Sequence, residues 1–428
     1  MTQPYHSSAL QAAVVPTGRM QRAWEPLPGS SARIPAEAPP PRILVVAPQP
    51  FYEDRGTPIA MRQVLLALSE LGRHVDLLTY PVGADVAIEG LRIFRSANPF
   101  RFESVPVGLS LRKLVLDVPL TAALRSRLAR GRYSCVHAVE EAAFPAALYA
   151  RQHGIPLLYD MQSSLAEQLG RLGPLNLRPT RWMLEAAERW LLNMSDMVVT
   201  SAGLAPRVRR MVPQVSVREW HFPSAPSGAD PRDVARLRQS LGLRSSDRVV
   251  LYSGTFEAYQ GLPELIGAIP LVRERCPNVT FVFVGAASSE PELASAAPYI
   301  ECGALRVVDR QPRHEMPAFL AMADVLVSAR AYGGNLPLKI FDYLAASRPI
   351  VATDIPTHRT VLSEERAVLV APTTESLAEG IVGVLADPER GRTLAAAGRQ
   401  YAKTHLGWGR FVQAVSQLYD EVERHAVA

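Results

Sequence analysis

One pattern occurs in two rounds along this chain, and it leaves few folds open: an apolar run, a glycine- or proline-bearing loop, then a segment of helical period. The first round begins at Arg42 with R-I-L-V-V-A, followed by the loop P-Q-P-F-Y-E-D-R-G-T-P, a helix from about Ile59 to Leu71 ended by Gly72, and the strand H-V-D-L-L-T. Strand, helix and strand in this order make a βαβ unit, whose loop lies at the carboxyl edge of the sheet, where open α/β folds bind ligands. Y-S-C-V-H-A with a helix from Glu141, P-L-L-Y-D with the turn M-Q-S-S-L, and D-M-V-V-T-S-A at 196–202 continue the series. Near Phe222 the string F-P-S-A-P-S-G-A-D-P interrupts it. The second round follows: a helix at 231–241, R-V-V-L-Y-S, the loop G-T-F-E-A-Y-Q-G, a helix from Leu262, and V-T-F-V-F-V-G. Alternation of this kind predicts α/β architecture with two parallel sheets, and 428 residues suffice for two cores. The expected divisions are a disordered extension at 1–41, which holds eight prolines, a first domain at 42–222, a linker at 223–232, a second domain at 233–390, and closing helices at 391–428.

Composition narrows the function classes. An apolar fraction of 48% with 20% charged residues is that of a globular chain, and no apolar run approaches the ~18 residues that span a bilayer. The start, M-T-Q-P-Y-H-S-S-A-L, lacks a basic region followed by an apolar core, which argues for a cytoplasmic protein. Cys135, Cys276 and Cys302 are far apart and read as free thiols. There is no G-x-G-x-x-G, no Walker A string and no metal-type His or Cys spacing, so no bound cofactor or metal is expected. The net charge of +5 invites an anionic partner, and nothing points to nucleic acid.

The stretch from Ser328 to Asp354 carries the most chemistry: S-A-R-A-Y-G-G-N-L-P-L-K-I-F-D-Y-L-A-A-S-R-P-I-V-A-T-D. A turn at Gly333, Gly334 and Asn335 leads into a short helix and a buried strand from Ile350 to Thr353. The start of such a helix, near Leu338, offers unpaired N–H groups to a phosphate, and a lysine there, Lys339, is disfavoured by the dipole unless an anion is present. Asp342 can accept hydrogen bonds from the two hydroxyls of a ribose. The alternative is a pair of solvated charges on an ordinary surface helix.

This string resembles the carboxy-terminal signature of family 4 glycosyltransferases, in the subset that reads Pro-x-Lys-x-x-Glu/Asp-Tyr before a buried strand. The resemblance extends from Arg42 to the end of the chain. It implies a GT-B fold, two Rossmann-like domains facing across a cleft, with nucleotide on the second domain, acceptor on the first, and a last helix crossing back to the first domain. The implied activity is transfer of a sugar from a nucleoside diphosphate sugar, used as co-substrate, to a hydroxyl of a glycan or lipid-linked acceptor with retention of configuration. The family's two glutamates fall on Gly334 and Asp342, so the ribose contact is kept and the sugar contact is lost. Its Gly-Arg…Lys-Gly loop falls on Gly254, Thr255, Gln260 and Gly261, with both cations replaced. Lys339, Arg330 and Arg55 are the cations expected to compensate. Gly56 stands at the family's first glycine loop, Arg310 near the base, and Gln162 where an acceptor-facing histidine is usual.

Glu140 and Glu141 are the remaining candidates to orient or deprotonate an acceptor, or they complement a helix amino end. His137 reads as a core histidine. From Arg112 to Arg132, six basic residues stand against one acid and are interleaved with leucines at 114, 116, 120, 124 and 128. This segment reads either as a helix on anionic lipid at the inner face of the plasma membrane or as a core helix with a solvated face. Two other functions stay open: a sugar-nucleotide epimerase on the same architecture, and a non-catalytic sugar-nucleotide-binding protein.

Overall fold

The structure, a computed structural model, describes residues 41–53, 56–106, 110–166, 178–224, 228–285, 291–333 and 337–425. The expected extension at 1–41 falls, except for its last residue, outside them, as do 225–227 of the expected linker.

Seven parallel strands form the first sheet in the order β3-β2-β1-β4-β5-β6-β7: β1 (Arg42–Ala47), β2 (Val75–Thr79), β3 (Leu91–Arg95), β4 (Tyr133–Val139), β5 (Leu157–Met161), β6 (Met197–Thr200) and β7 (Ser216–Glu219). Ile43 is in register with Val75 on one side and Cys135 on the other, so the run R-I-L-V-V-A is the centre of the sheet. That position explains why it is apolar without alternation: helices cover both faces, and a strand buried on both sides has no polar face to offer. The second sheet is also parallel, in the order β10-β9-β8-β11-β12-β13: β8 (Arg248–Ser253), β9 (Val279–Val284), β10 (Leu305–Val308), β11 (Val325–Ser328), β12 (Ile350–Thr353) and β13 (Val368–Val370). Val250 pairs with Phe281 and Val325, again placing the first strand of the round at the centre.

Eight helices position the functional residues. In the first half, α1 (Gly56–Glu70) follows β1, α2 (Leu111–Arg130) precedes β4, α3 (Ala143–Gln152) follows it, and α4 (Arg178–Met194) precedes β6. In the second, α5 (Leu262–Arg275) follows β8, α6 (Lys339–Ala345) precedes β12, and α7 (Pro388–His405) and α8 (Trp408–Arg424) close the chain. Helix α1 starts three residues earlier than its period suggests because Gly56, Thr57 and Pro58 form its first turn, proline being tolerated where an N–H lacks a partner anyway.

Burial divides the basic segment: four of its leucines are core and Leu114 is not. Leu116, Leu120, Leu124 and Leu128, one helical face at a spacing of four, are the buried residues of α2 and join the core of the first half. That stripe packs on protein, so it cannot be the lipid-facing surface.

Helix α7 packs on α6 in the second half, whereas α8 packs on α1 and β4 in the first. Arg73 holds Asp420 and Glu423, Arg218 holds Glu421, and the Trp408 indole N–H donates to Glu70 at 2.6 Å. The chain thus passes between the halves twice, and the two passages touch: Ser224 N–H donates to the Leu406 carbonyl at 3.2 Å, beside an aromatic cluster of Trp220, Phe222, Trp408 and Phe411.

Candidate active site

The carboxyl edges of the two sheets face one another across a cleft of about 820 Å³. From the first half it is lined by Gly56, Glu140 and Gln162, and from the second by Gly254, Thr255, Gln260, Arg310, Arg330, Leu338, Lys339 and Asp342. These eleven, with Glu141, which also lines the cleft, are the candidate catalytic and donor-binding residues that lie in described segments. Arg55, Gly334 and Asn335 lie outside the described residues.

Helix α6 opens on the cleft at Leu338 and Lys339. The Lys339 ammonium donates to the Gln260 side-chain carbonyl at 3.3 Å and stands 3.9 Å from the centre of the Tyr252 ring. Both partners are uncharged. Burial, and then the repulsion of Arg330, hold the Lys339 pKa well below the lysine range, against a weaker pull from Glu257. Arg330 is buried, donates to the Tyr332 carbonyl at 2.9 Å and lies 5.0 Å over the Tyr259 ring; burial lowers its pKa as well.

Two glycines make this floor possible. At Gly254 (φ 141°) a Cβ would come within 3.2 Å of the Lys339 Nζ, and at Gly261 (φ 71°) within 1.9 Å of the Ala329 carbonyl oxygen at the end of β11. The loop between them carries Thr255, Glu257, Tyr259 and Gln260, and the Gln260 amide donates to Thr255 Oγ1 at 3.4 Å. Glu257 escapes sequence reasoning, since a single acid in a loop carries no periodic or spacing signal. It lines the cleft, and its Oε2 is buried with no hydrogen-bond partner among the described residues. Asp342, in the first turn of α6, pairs with Arg313 at 3.4 Å, a partner 29 residues away that the sequence could not nominate.

Across the cleft, Glu140 holds a left-handed backbone angle (φ 51°) that a non-glycine residue adopts only under constraint. Both of its carboxylate oxygens lie 2.9 Å from Ser163 Oγ. Burial, then the charge of Glu141, pushes its pKa up to about 8. Glu141 itself pairs with Lys113 at 3.5 Å. Gln162 donates to Asp160 Oδ1 at 2.6 Å, and the same oxygen accepts from the Trp220 indole at 3.1 Å. The other Asp160 oxygen is 3.3 Å from His137 Nε2, and His137 Nδ1 is 2.6 Å from the Tyr419 hydroxyl. The arrangement that satisfies every group has Tyr419 donating to Nδ1 and the Nε2–H donating to Asp160. His137 is therefore a fully paired core residue, and through it the last helix holds the strand that presents Gln162.

Fold and cleft together define the GT-B architecture. The chain belongs to the glycosyl transferases group 1: residues 247–387 match the family of that description and residues 55–213 match the glycosyl transferase 4-like domain. It is 24% identical over 391 residues to the glycogen synthase of Mycobacterium tuberculosis, covering 84% of this chain and 87% of that one. Among solved structures it superposes on the sucrose-phosphate synthase of Thermosynechococcus elongatus with TM-score 0.72 and 22% identity, covering 89% and 98% of the two chains. Anabaena HepE in complex with UDP-glucose gives TM-score 0.66 at 16% identity, covering 89% and 99%. The protein is a glycosyltransferase.

Proposed function

We propose that the protein moves a sugar from a nucleoside diphosphate sugar to a hydroxyl of a glycan or lipid-linked acceptor, with retention at the anomeric carbon and without a metal ion, in polysaccharide or glycoconjugate synthesis on the cytoplasmic side of the membrane. The observation that carries this reading is the pair of cations on the cleft floor. Lys339 is withdrawn from water, is repelled by Arg330, and hydrogen-bonds among the described residues to the neutral Gln260. Such a cation gains most from an anion, and a diphosphate is an anion whose charge grows as the bond to the anomeric carbon breaks. Lys339 and Arg330 then stabilise the leaving group, and the acceptor hydroxyl gives its proton to the departing phosphate oxygen on the same face of the sugar. Asp342 accepts from the ribose hydroxyls. Gln162, held by Asp160, donates to a hydroxyl, and Glu140 orients the acceptor.

A panel of UDP, GDP and ADP with their glucose and mannose conjugates tests this, first by thermal shift and then by release of nucleoside diphosphate with and without oligosaccharide and polyprenyl-phosphate-sugar acceptors. Acceptor-dependent release with an axial product from an axial donor supports the reading. Conversion of donor alone would indicate epimerisation, and stabilisation without turnover a binding protein.

A further inference from the structure

The large apolar side chains that the described residues leave exposed concentrate on the helices of one face of the first sheet and at its cleft edge. Leu111 (81%) and Leu114 (59%) lie on the first turn of α2, with Phe100 (66%) in the loop that leads to it. Trp182 (73%) and Met183 (60%) lie on the second turn of α4. Helices that connect parallel strands run back antiparallel to them, so α2 and α4 both begin at the cleft edge, and Lys113 on the first turn of α2 lines the cleft itself. Helix α4 extends past that edge. Phe144, in the first turn of α3, stacks on Trp190, yet α4 begins twelve residues before Trp190, about 18 Å further along the helix. Its first turns therefore overhang the rim.

Arginines stand among these apolar groups. Arg112 lies 5.6 Å over the Phe102 ring, which is itself 5.8 Å from Phe100. Arg101, Arg112, Arg178 and Arg181 are exposed against one exposed acid in the leading loop, Glu103; of the acids on the two helices Asp117 accepts from the Tyr80 hydroxyl, Glu188 is buried with Arg207 and Glu185 pairs with Arg181. Exposed indole, thioether and leucine side chains interleaved with guanidinium groups match the boundary between lipid head groups and acyl chains. A protein partner would need no such excess of one sign.

We infer that this rim, formed by the starts of α2 and α4 with Phe100, docks the protein on an anionic bilayer and turns the first-domain side of the cleft towards the lipid surface. The inference stands on exposure and charge alone, so it can fail while the transfer reaction holds, and the reverse. If it holds, the acceptor of the proposed reaction is one borne on lipid.

The test is sedimentation of the full chain with vesicles of phosphatidylcholine and of phosphatidylcholine with phosphatidylglycerol, at low and high salt, together with tryptophan quenching by brominated acyl chains. Expected are preference for the anionic vesicles, weakening with salt, quenching that is reduced in Trp182→Ser, and a loss of partitioning of about tenfold or more in Leu111→Ser/Leu114→Ser and in Trp182→Ser/Met183→Ser. Circular dichroism of both double variants, and their thermal shift with whichever of UDP, GDP and ADP stabilises the parent most, should match the parent. Partitioning unaffected by the substitutions, or equal on neutral and anionic vesicles, would overturn the inference. So would a concentration-dependent dimer in light scattering that the same substitutions abolish, which would assign the rim to a second copy of the chain.

Discussion

Replacing Lys339 by methionine removes one positive charge from the cleft floor while keeping an unbranched stem against the Tyr252 ring. In the folded chain the ammonium contacts Gln260 at 3.3 Å and the ring at 3.9 Å, and its pKa is held well below the lysine range, chiefly by burial. Two effects then separate by sign. Because the folded state binds this proton less tightly than the unfolded state, Lys339 disfavours folding at neutral pH, and the penalty fades as pH rises through the window up to its unfolded value of about 10.4. Methionine removes that penalty and forfeits a cation–π contact of about 0.5–2 kcal/mol, so stability at pH 7 should stay level or rise. Donor affinity should move the other way. A hydrogen bond to a charged group contributes about 1.5–3 kcal/mol, which corresponds to a dissociation constant roughly 10- to 150-fold weaker. Urea denaturation gives the first quantity. Calorimetric titration with whichever of UDP, GDP and ADP raises the parent Tm most gives the second. Unchanged nucleotide affinity together with lowered stability in Lys339→Met would refute the argument, by assigning the ammonium to the architecture of the cleft and not to its ligand.

Glu140 offers a pH signature. Its carboxyl is pushed up to about 8, so the native state binds more protons than the unfolded state from about pH 4.3 to 8, and the stability this group contributes is lost as pH rises across that window. Glu140→Gln should flatten the fall in urea midpoint across that same window, from about pH 4.3 to 8, and it should also remove a rise in kcat/KM through about pH 8 in the parent. Gly261→Ala should cost more than about 1 kcal/mol, since its φ of 71° is strained for alanine and its Cβ would lie 1.9 Å from the Ala329 oxygen; Tm and nucleotide titration should fall together. Tyr419→Phe leaves His137 Nδ1 buried without its donor and should lower unfolding free energy by about 1–3 kcal/mol in urea, with kcat affected only as far as Gln162 shifts.

How much could be read in advance depended on whether the signal was local. R-I-L-V-V-A and R-V-V-L-Y-S announce their strands because each is buried on both faces, and the glycine-bearing loops after them fall at the carboxyl edge by construction. Lys339 and Asp342 were legible because a proline, a lysine and an acid at fixed spacing before a buried strand are contiguous in the chain. Arg313 beside Asp342, Tyr252 under Lys339 and Ser163 on Glu140 were not, since each pairing is made by the packing of elements 23 to 87 residues apart. The basic helix shows the limit from the other side. Its leucines at a spacing of four were visible, but which surface they covered depended on the sheet beneath them, and the residues left outside, Leu111 and Leu114, lie at its very start.

The paired passages at Ser224 and Leu406 have a mechanical consequence. Two crossings joined by a hydrogen bond act as one pivot, so a relative rotation of the halves about it would stretch neither segment much. Helix α7 leaves that point on the side of Lys339 and α8 on the side of Gln162, so a change of angle there would alter the separation of those two side chains.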